Sequence, residues 1–185
     1  MRTILSAVLY TAIALGANAG FAGPAEIAAL RDGSMKKLVF LDAPAPVSDV
    51  AFTDAAGGEH RLSDWKGRYI AVNFWAAWCA PCRKELPALD ALNRDLGGDK
   101  FAVVTIAAGP NPVPAITRLF EETGVTSLPM LLDPKLQLAR GMGVFGLPVT
   151  VILDTEGREI ARMTGDAEWD SESARAIVAA LVADG

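Results

Sequence analysis

One junction constrains this chain more than any other. An apolar run from Tyr69 to Trp75 passes through Ala76-Ala77-Trp78 into Cys79-Ala80-Pro81-Cys82 and then into a leucine-periodic segment. The run is rich in β-formers and bounded by Lys66-Gly67, so it reads as a buried strand. Leu86, Leu89, Leu92 and Leu96 recur at helical intervals and predict a helix from Pro81 to about Leu96. Pro81 suits the first helical turn, where a missing N–H costs little. Pro87 lies inside the helix and should kink it by removing the bond to the Arg83 carbonyl.

The only two cysteines of the chain sit at this junction. Unpaired N–H groups and the dipole at a helix N-terminus favour a thiolate, and thiols so placed ionise near pH ~7 or below instead of ~8.5. Cys79 is therefore the nucleophile of a reversible dithiol/disulfide. Cys82 lies nearly one turn on along the same face and deeper, which makes it the resolving thiol. A structural cross-link is the weaker reading, because so short a loop adds little stability. Tetrahedral zinc wants four ligands; there is no second cysteine pair, and the lone histidine, His60, reads as a solvated hairpin residue in Gly57-Gly58-Glu59-His60-Arg61. No metal and no cofactor beyond the cysteine pair is expected.

At 185 residues, about half of them apolar, the chain can bury one good core. A net charge of -5 argues against nucleic acid as a partner. Residues 1–19 read as a targeting segment: Arg2, an apolar stretch from Ile4 to Leu15, and the small-x-small site Ala17-Asn18-Ala19. The alternative is an uncleaved anchor, since the apolar run continues through Gly20-Phe21-Ala22 to the lower edge of a bilayer span. Either way the folded part is expected in the periplasm, secreted or tethered to the inner membrane, in an oxidising space.

Residues 20–44 form an N-terminal segment and 45–185 the main domain. Pro24 to Val39 reads as a short amphipathic helix with no assigned role, leading into a loop at Pro44 and Pro46. Val50 to Thr53 and His60 to Leu62 read as a hairpin, and Phe101 to Ala107 as a second buried strand. Pro112 to Thr123 is expected to be a helix capped by Asn111. Met130 to Leu132 is a short strand, Leu136 to Met142 a short helix, and Val149 to Leu153 pairs with Glu159 to Thr164. A helix from Trp169 to Val182, capped by Asp170 or Ser171, closes the chain. Such alternation gives a central mixed β-sheet flanked by helices, an α/β fold with an N-terminal hairpin.

That order, with Trp-Cys-x-x-Cys opening the first long helix and a proline ahead of the late strand, resembles the thioredoxin-like fold. The stretch from Ala71 to Leu89 is similar to the active-site segment of the TlpA/ResA branch of thiol-disulfide oxidoreductases; the hairpin and the tail Ala167-Glu168-Trp169 are most like its TlpA members. The resemblance implies that Pro148 is a cis-proline facing the disulfide, leaving the Leu147 backbone to pair with an extended substrate segment. It implies an acidic partner at Glu85, on the helix face of Cys82, which exchanges a proton with that thiol if buried and is otherwise a solvated carboxylate. Asn73 stands where thioredoxin has a buried aspartate and cannot act as a base. Trp75 and Trp78 are expected around the disulfide, with Trp78 and Pro81 touching the partner protein.

The function implied is an exported protein-disulfide reductase, with Ala-Pro between the cysteines closer to thioredoxin's Gly-Pro than to the Pro-His of a strong oxidant. Its acceptors would be disulfide-containing envelope proteins, among them copper-delivery proteins of cytochrome oxidase assembly or cytochrome c maturation factors, and its donor a membrane thiol relay. A monomer is expected. Two alternatives stand beside it. A copper chaperone of the Sco type would want cysteines one residue further apart and a downstream histidine. A redoxin-type peroxidase would want threonine three positions before the reactive cysteine, where this chain has Ala76.

Overall fold

The computed structural model describes residues 24–184, so the expected leader or anchor lies outside the described residues. Helix α1 (Pro24–Ala29) and a 3-10 turn (Gly33–Lys37) lead into strand β1 (Val39–Ala45). Strands β2 (Phe52–Asp54) and β3 (Glu59–His60) form the hairpin, followed by a 3-10 turn at Leu62–Trp65. The central succession is β4 (Tyr69–Trp75), α2 (Ala80–Leu96), β5 (Phe101–Ala108), α3 (Val113–Thr123) and β6 (Leu131–Asp133). Helix α4 (Gln137–Gly141), β7 (Val149–Leu153), β8 (Glu159–Thr164) and α5 (Glu172–Asp184) complete the chain.

The strands make one sheet in the order β1-β8-β7-β4-β5-β6-β2-β3. β4 runs parallel to β5 and antiparallel to β7, so the sheet is mixed. Because side chains alternate across a strand, β4 divides itself between two cores. Ile70, Val72 and Phe74 face Leu138, Met142 and Val151 on one side; Ala71 and Trp75 join Leu86, Leu89, Ile116 and Ile177 on the other. The three leucines of α2, fully enclosed at 86, 89 and 92, each contribute about 1.5–3 kcal/mol of burial. This packing holds the first turn of α2 at the end of β4.

Four expectations change. The helix expected over Pro24 to Val39 ends at Ala29, and after a break at residues 30–32 a 3-10 turn starts at Gly33, whose φ of +53° suits glycine. Among residues 25–39, Ile27, Met35 and Leu38 are buried. Where a loop was expected around Pro44, β1 pairs antiparallel with β8, and its register shifts between Phe40 and Ala45. An edge strand at an irregularity tolerates a proline, which offers no N–H. The sheet thus begins ahead of residue 45. Asn111 does not cap α3, whose N-cap position is Pro112; its amide is used elsewhere, as described below. His60 is half-buried, in a three-ring cluster with Phe52 and Trp65, with Nε2 3.3 Å from Asp54 Oδ2. At the C-terminus, Ser171 supplies the cap, its Oγ accepting the Ala174 N–H at 3.2 Å.

Candidate active site

Cys79 occupies the N-cap of α2 in extended conformation, with Pro81 in the first turn. Its Sγ accepts the Cys82 N–H at 3.3 Å, so one of the helix's unpaired donors already points at the sulfur that would carry charge on reduction. The two cysteines are disulfide-bonded, with Cα atoms 5.3 Å apart. Cys79 is 6% exposed and Cys82 fully enclosed. Only the first sulfur can be reached from outside.

The loop before Cys79 is pinned from a distance. Asn111 Oδ1 accepts the Ala77 N–H at 2.8 Å, while its Nδ2 donates to the Ala108 and Gly109 carbonyls, each at 3.1 Å. This is the amide that sequence reasoning assigned to a helix cap. It ties the end of β5 to the approach of the reactive sulfur.

A groove of about 600 Å³ opens beside Cys79. Trp78, Pro81, Leu147, Pro110, Leu136 and Phe145 line it with Arg140 at one edge. Trp78 is 67% exposed and Phe145 90% exposed, a large apolar display for a surface. Trp75, by contrast, is buried and stacked on Phe120. The expected pair of tryptophans around the disulfide is therefore one core ring and one rim ring. Leu147 is half-buried in the groove wall, and the Leu147–Pro148 peptide is cis.

Cys82 packs in the apolar core, and one turn further along α2 lies a buried polar network. Glu85, three positions along α2, is 3% exposed. Asn73 Nδ2 donates to its Oε1 at 2.8 Å, and the Ala167 N–H and Trp169 Nε1–H donate to its Oε2 at 3.1 and 3.3 Å. Burial pushes the carboxyl up from 4.5 to about 7; the donors from Asn73, Ala167 and Trp169 oppose that rise, and the Asp166 charge adds to it. The solvated reading of Glu85 is thereby corrected. Asn73 also donates to Thr150 Oγ1 at 2.9 Å, and its Oδ1 has no hydrogen-bond partner among the described residues. In register, Thr105, Asn73 and Thr150 sit side by side across β5, β4 and β7. All three are buried.

Residues 42–160 match the model of the AhpC/TSA family. The chain belongs to the AhpC/TSA family. Among members it is similar to the thiol-disulfide oxidoreductase ResA of Geobacillus kaustophilus, 32% identical over 130 residues that cover 70% of this chain and 72% of that protein. It is also similar to the thioredoxin-like protein YneN of Bacillus subtilis, 33% identical over 66% of this chain and 71% of that one. The solved exposed lipoprotein thioredoxin of Streptococcus pneumoniae superposes with a TM-score of 0.57 at 29% identity, covering 66% of this chain and 93% of that chain. With the cysteine pair at the head of α2, this family member is a thiol-disulfide oxidoreductase of thioredoxin-like fold.

Sequence reasoning missed Phe145, Asn111 and Thr150. Phe145 carried a weak signal, an aromatic in the apolar loop Gly143-Val144-Phe145-Gly146-Leu147-Pro148. Asn111 and Thr150 carried none, because their partners belong to other elements.

Proposed function

We propose that the protein is an exported reductase of partner-protein disulfides, with Cys79 as nucleophile, Cys82 as resolving thiol and no cofactor beyond that pair. The supporting observation is the asymmetry of the two sulfurs: one at the mouth of an apolar groove with an N–H directed at it, the other enclosed above a buried carboxyl.

The Cys79 thiolate attacks one sulfur of the partner disulfide, forming a mixed disulfide and expelling the other sulfur as a thiolate, which takes a proton from water. Cys82 passes its proton to the Glu85 carboxylate, and the Cys82 thiolate attacks Cys79 Sγ. The Cys79–Cys82 disulfide forms, the second partner sulfur leaves as a thiolate that takes a proton from water, and two electrons have moved to the partner. Glu85 suits the task because a base that titrates near neutrality is half-ionised where the enzyme works. The partner segment lies extended along Leu147 and Pro148, with Trp78, Pro81 and Phe145 excluding water from the exchanging sulfurs.

Cys79 receives one directed N–H and otherwise apolar surroundings, a modest stabilisation of its thiolate. In this fold potentials run from about −270 to about −120 mV as that stabilisation grows. Equilibration with glutathione is expected to place this protein in the lower half of the range; a value at the oxidant end would reverse the proposed direction. A reductant in an oxidising compartment needs a membrane thiol relay as donor, and family resemblance favours copper-delivery or cytochrome assembly proteins as acceptors. The apolar leader at residues 1–19 and the similarity to an exposed lipoprotein support the export reading.

The alternatives have less support. Ala76, buried three positions before Cys79, offers no hydroxyl for peroxide chemistry, and the chain's single histidine, His60, precedes the cysteine pair and is engaged by Asp54 in the hairpin, so the downstream histidine of a copper site is missing. The decisive experiment is Cys82→Ser in the full chain: a covalent complex with an envelope protein should accumulate through residue 79 and vanish on further Cys79→Ser substitution. Extracts with no trapped species would overturn the exchange mechanism.

A further inference from the structure

The segment ahead of β1, to which the sequence assigns no role, closes over the back of α2. Ser34 Oγ accepts the Glu168 N–H at 2.9 Å. Lys37 Nζ donates to the Asp166 carbonyl and lies 3.8 Å from the Asp166 carboxylate. At the other end, the Asp32 N–H donates to Ser173 Oγ at 2.9 Å, and that hydroxyl donates to the Leu30 carbonyl at 2.8 Å. The clamped residues, 166 and 168, flank Ala167, whose N–H reaches Glu85, and precede Trp169, whose indole does the same. The stretch between β8 and α5 is neither helix nor strand. Its grip on Glu85 draws on bonds from outside.

The same contacts form a cleft of about 380 Å³ with Glu85 at its floor. The charged groups that line it are Lys37 from the 3-10 turn, Lys84 from α2, and Asp166, Glu168 and Asp170 from the loop. From the sheet, β4 and β7 bring only the uncharged Asn73 and Thr150 into the Glu85 network. The groove at Cys79 shares no residue with this cleft. Solvent therefore approaches Glu85 from behind the helix, not past the disulfide.

We infer that Ser34 and Lys37 are positioning residues for Glu85: they hold the Ala167 and Trp169 donors on its carboxylate and so set the pH at which the site releases its proton. The functional meaning of this rests on Glu85 being the proton acceptor of Cys82. The physical effect has a definite sign. Loosening the loop weakens donors that favour the charged carboxyl, and removing Lys37 leaves the Asp166 charge uncompensated. Both raise the proton affinity of Glu85.

The test uses the full chain, its carboxyl carbons observed by NMR, with exchange on hydroxyethyl disulfide followed in parallel. In Ser34→Ala/Lys37→Met the Glu85 midpoint should rise by about one pH unit, the scale of weakening one hydrogen bond to a charged group, and the inflection of the exchange profile should move the same way. Ser34→Thr/Lys37→Arg, which keeps acceptor and cation, should restore both. Should the double variant lose its thermal unfolding transition, Ser34→Ala alone is expected to give a smaller rise. A Glu85 midpoint that stays put in a folded variant would overturn the clamp. Glu85→Gln separates the two ideas: an exchange profile indifferent to that change would sink the proton-acceptor role, while the clamp stands or falls on the carboxyl midpoint.

Discussion

The two sides of the disulfide are built on opposite physical plans. On the Cys79 side, exposed aromatic rings and the half-buried Leu147 surround a groove open to solvent. On the Cys82 side, Glu85, Asn73 and Thr150 are enclosed and hydrogen-bonded to one another or to the loop after β8. The difference teaches how one short helix turn separates two tasks. Recognition of a large partner needs apolar surface that water leaves readily, whereas managing a proton needs polar groups held where water is scarce and each hydrogen bond counts.

The enclosed side should give the largest response to a single substitution. Between pH 4.5 and about 7 the folded protein keeps a proton on Glu85 that the unfolded chain has released. Wild-type stability therefore falls as pH rises through that window and stays reduced above it, by about 3 kcal/mol in all. Glu85→Gln removes the loss. The amide fits if Asn73 turns by half a rotation, so that the introduced Nε2 and the Thr150 hydroxyl donate to Asn73 Oδ1, while Asn73 Nδ2 takes the partnerless position that Oδ1 holds in the wild type. Urea unfolding is expected to show the variant gaining on wild type from pH 5 upward, by about 2–3 kcal/mol at pH 8. Stability curves that run parallel would mean the carboxyl titrates as it does in the unfolded chain.

The open side should respond more modestly, and in rate instead of stability. Trp78→Ala or Phe145→Ala removes a ring that the folded core does not use, and rings at the centre of an interface are worth about 1–2 kcal/mol each. Each is expected to slow exchange with a disulfide-bonded peptide about 5–30-fold, measured by stopped-flow, and to slow exchange with hydroxyethyl disulfide less. Equal effects on the two substrates would assign the rings to the chemistry of the sulfurs, erasing the contrast between the two sides.

Much of the fold was legible because its signals are local. Tyr69 to Trp75 is an apolar run interrupted only by Asn73, and β4 has those bounds; the leucines of α2 repeat on one face and fill one core. What escaped notice depends on partners far along the chain. β1 exists because β8 is there to pair with it, and its own residues, Val39-Phe40-Leu41-Asp42-Ala43-Pro44-Ala45, include a proline that argues against a strand. Asn111 satisfies the rule for a helix cap, yet an N–H 34 residues upstream competes for its oxygen and wins. His60 looks solvated between glycines and charges, but Phe52 and Trp65 close on its ring only when the hairpin folds.

The sequence by itself determined that two thiols stand within reach at the start of a helix, because residues 79 and 82 are chain neighbours and the strand and helix patterns on either side are strong. Tertiary structure alone decided what the carboxyl below them does. Its donors come from β4 and from a loop 82 and 84 residues away, and its desolvation comes from elements packed around it. Proton affinity is a sum over spatial neighbours, and no spacing along the chain encodes that sum.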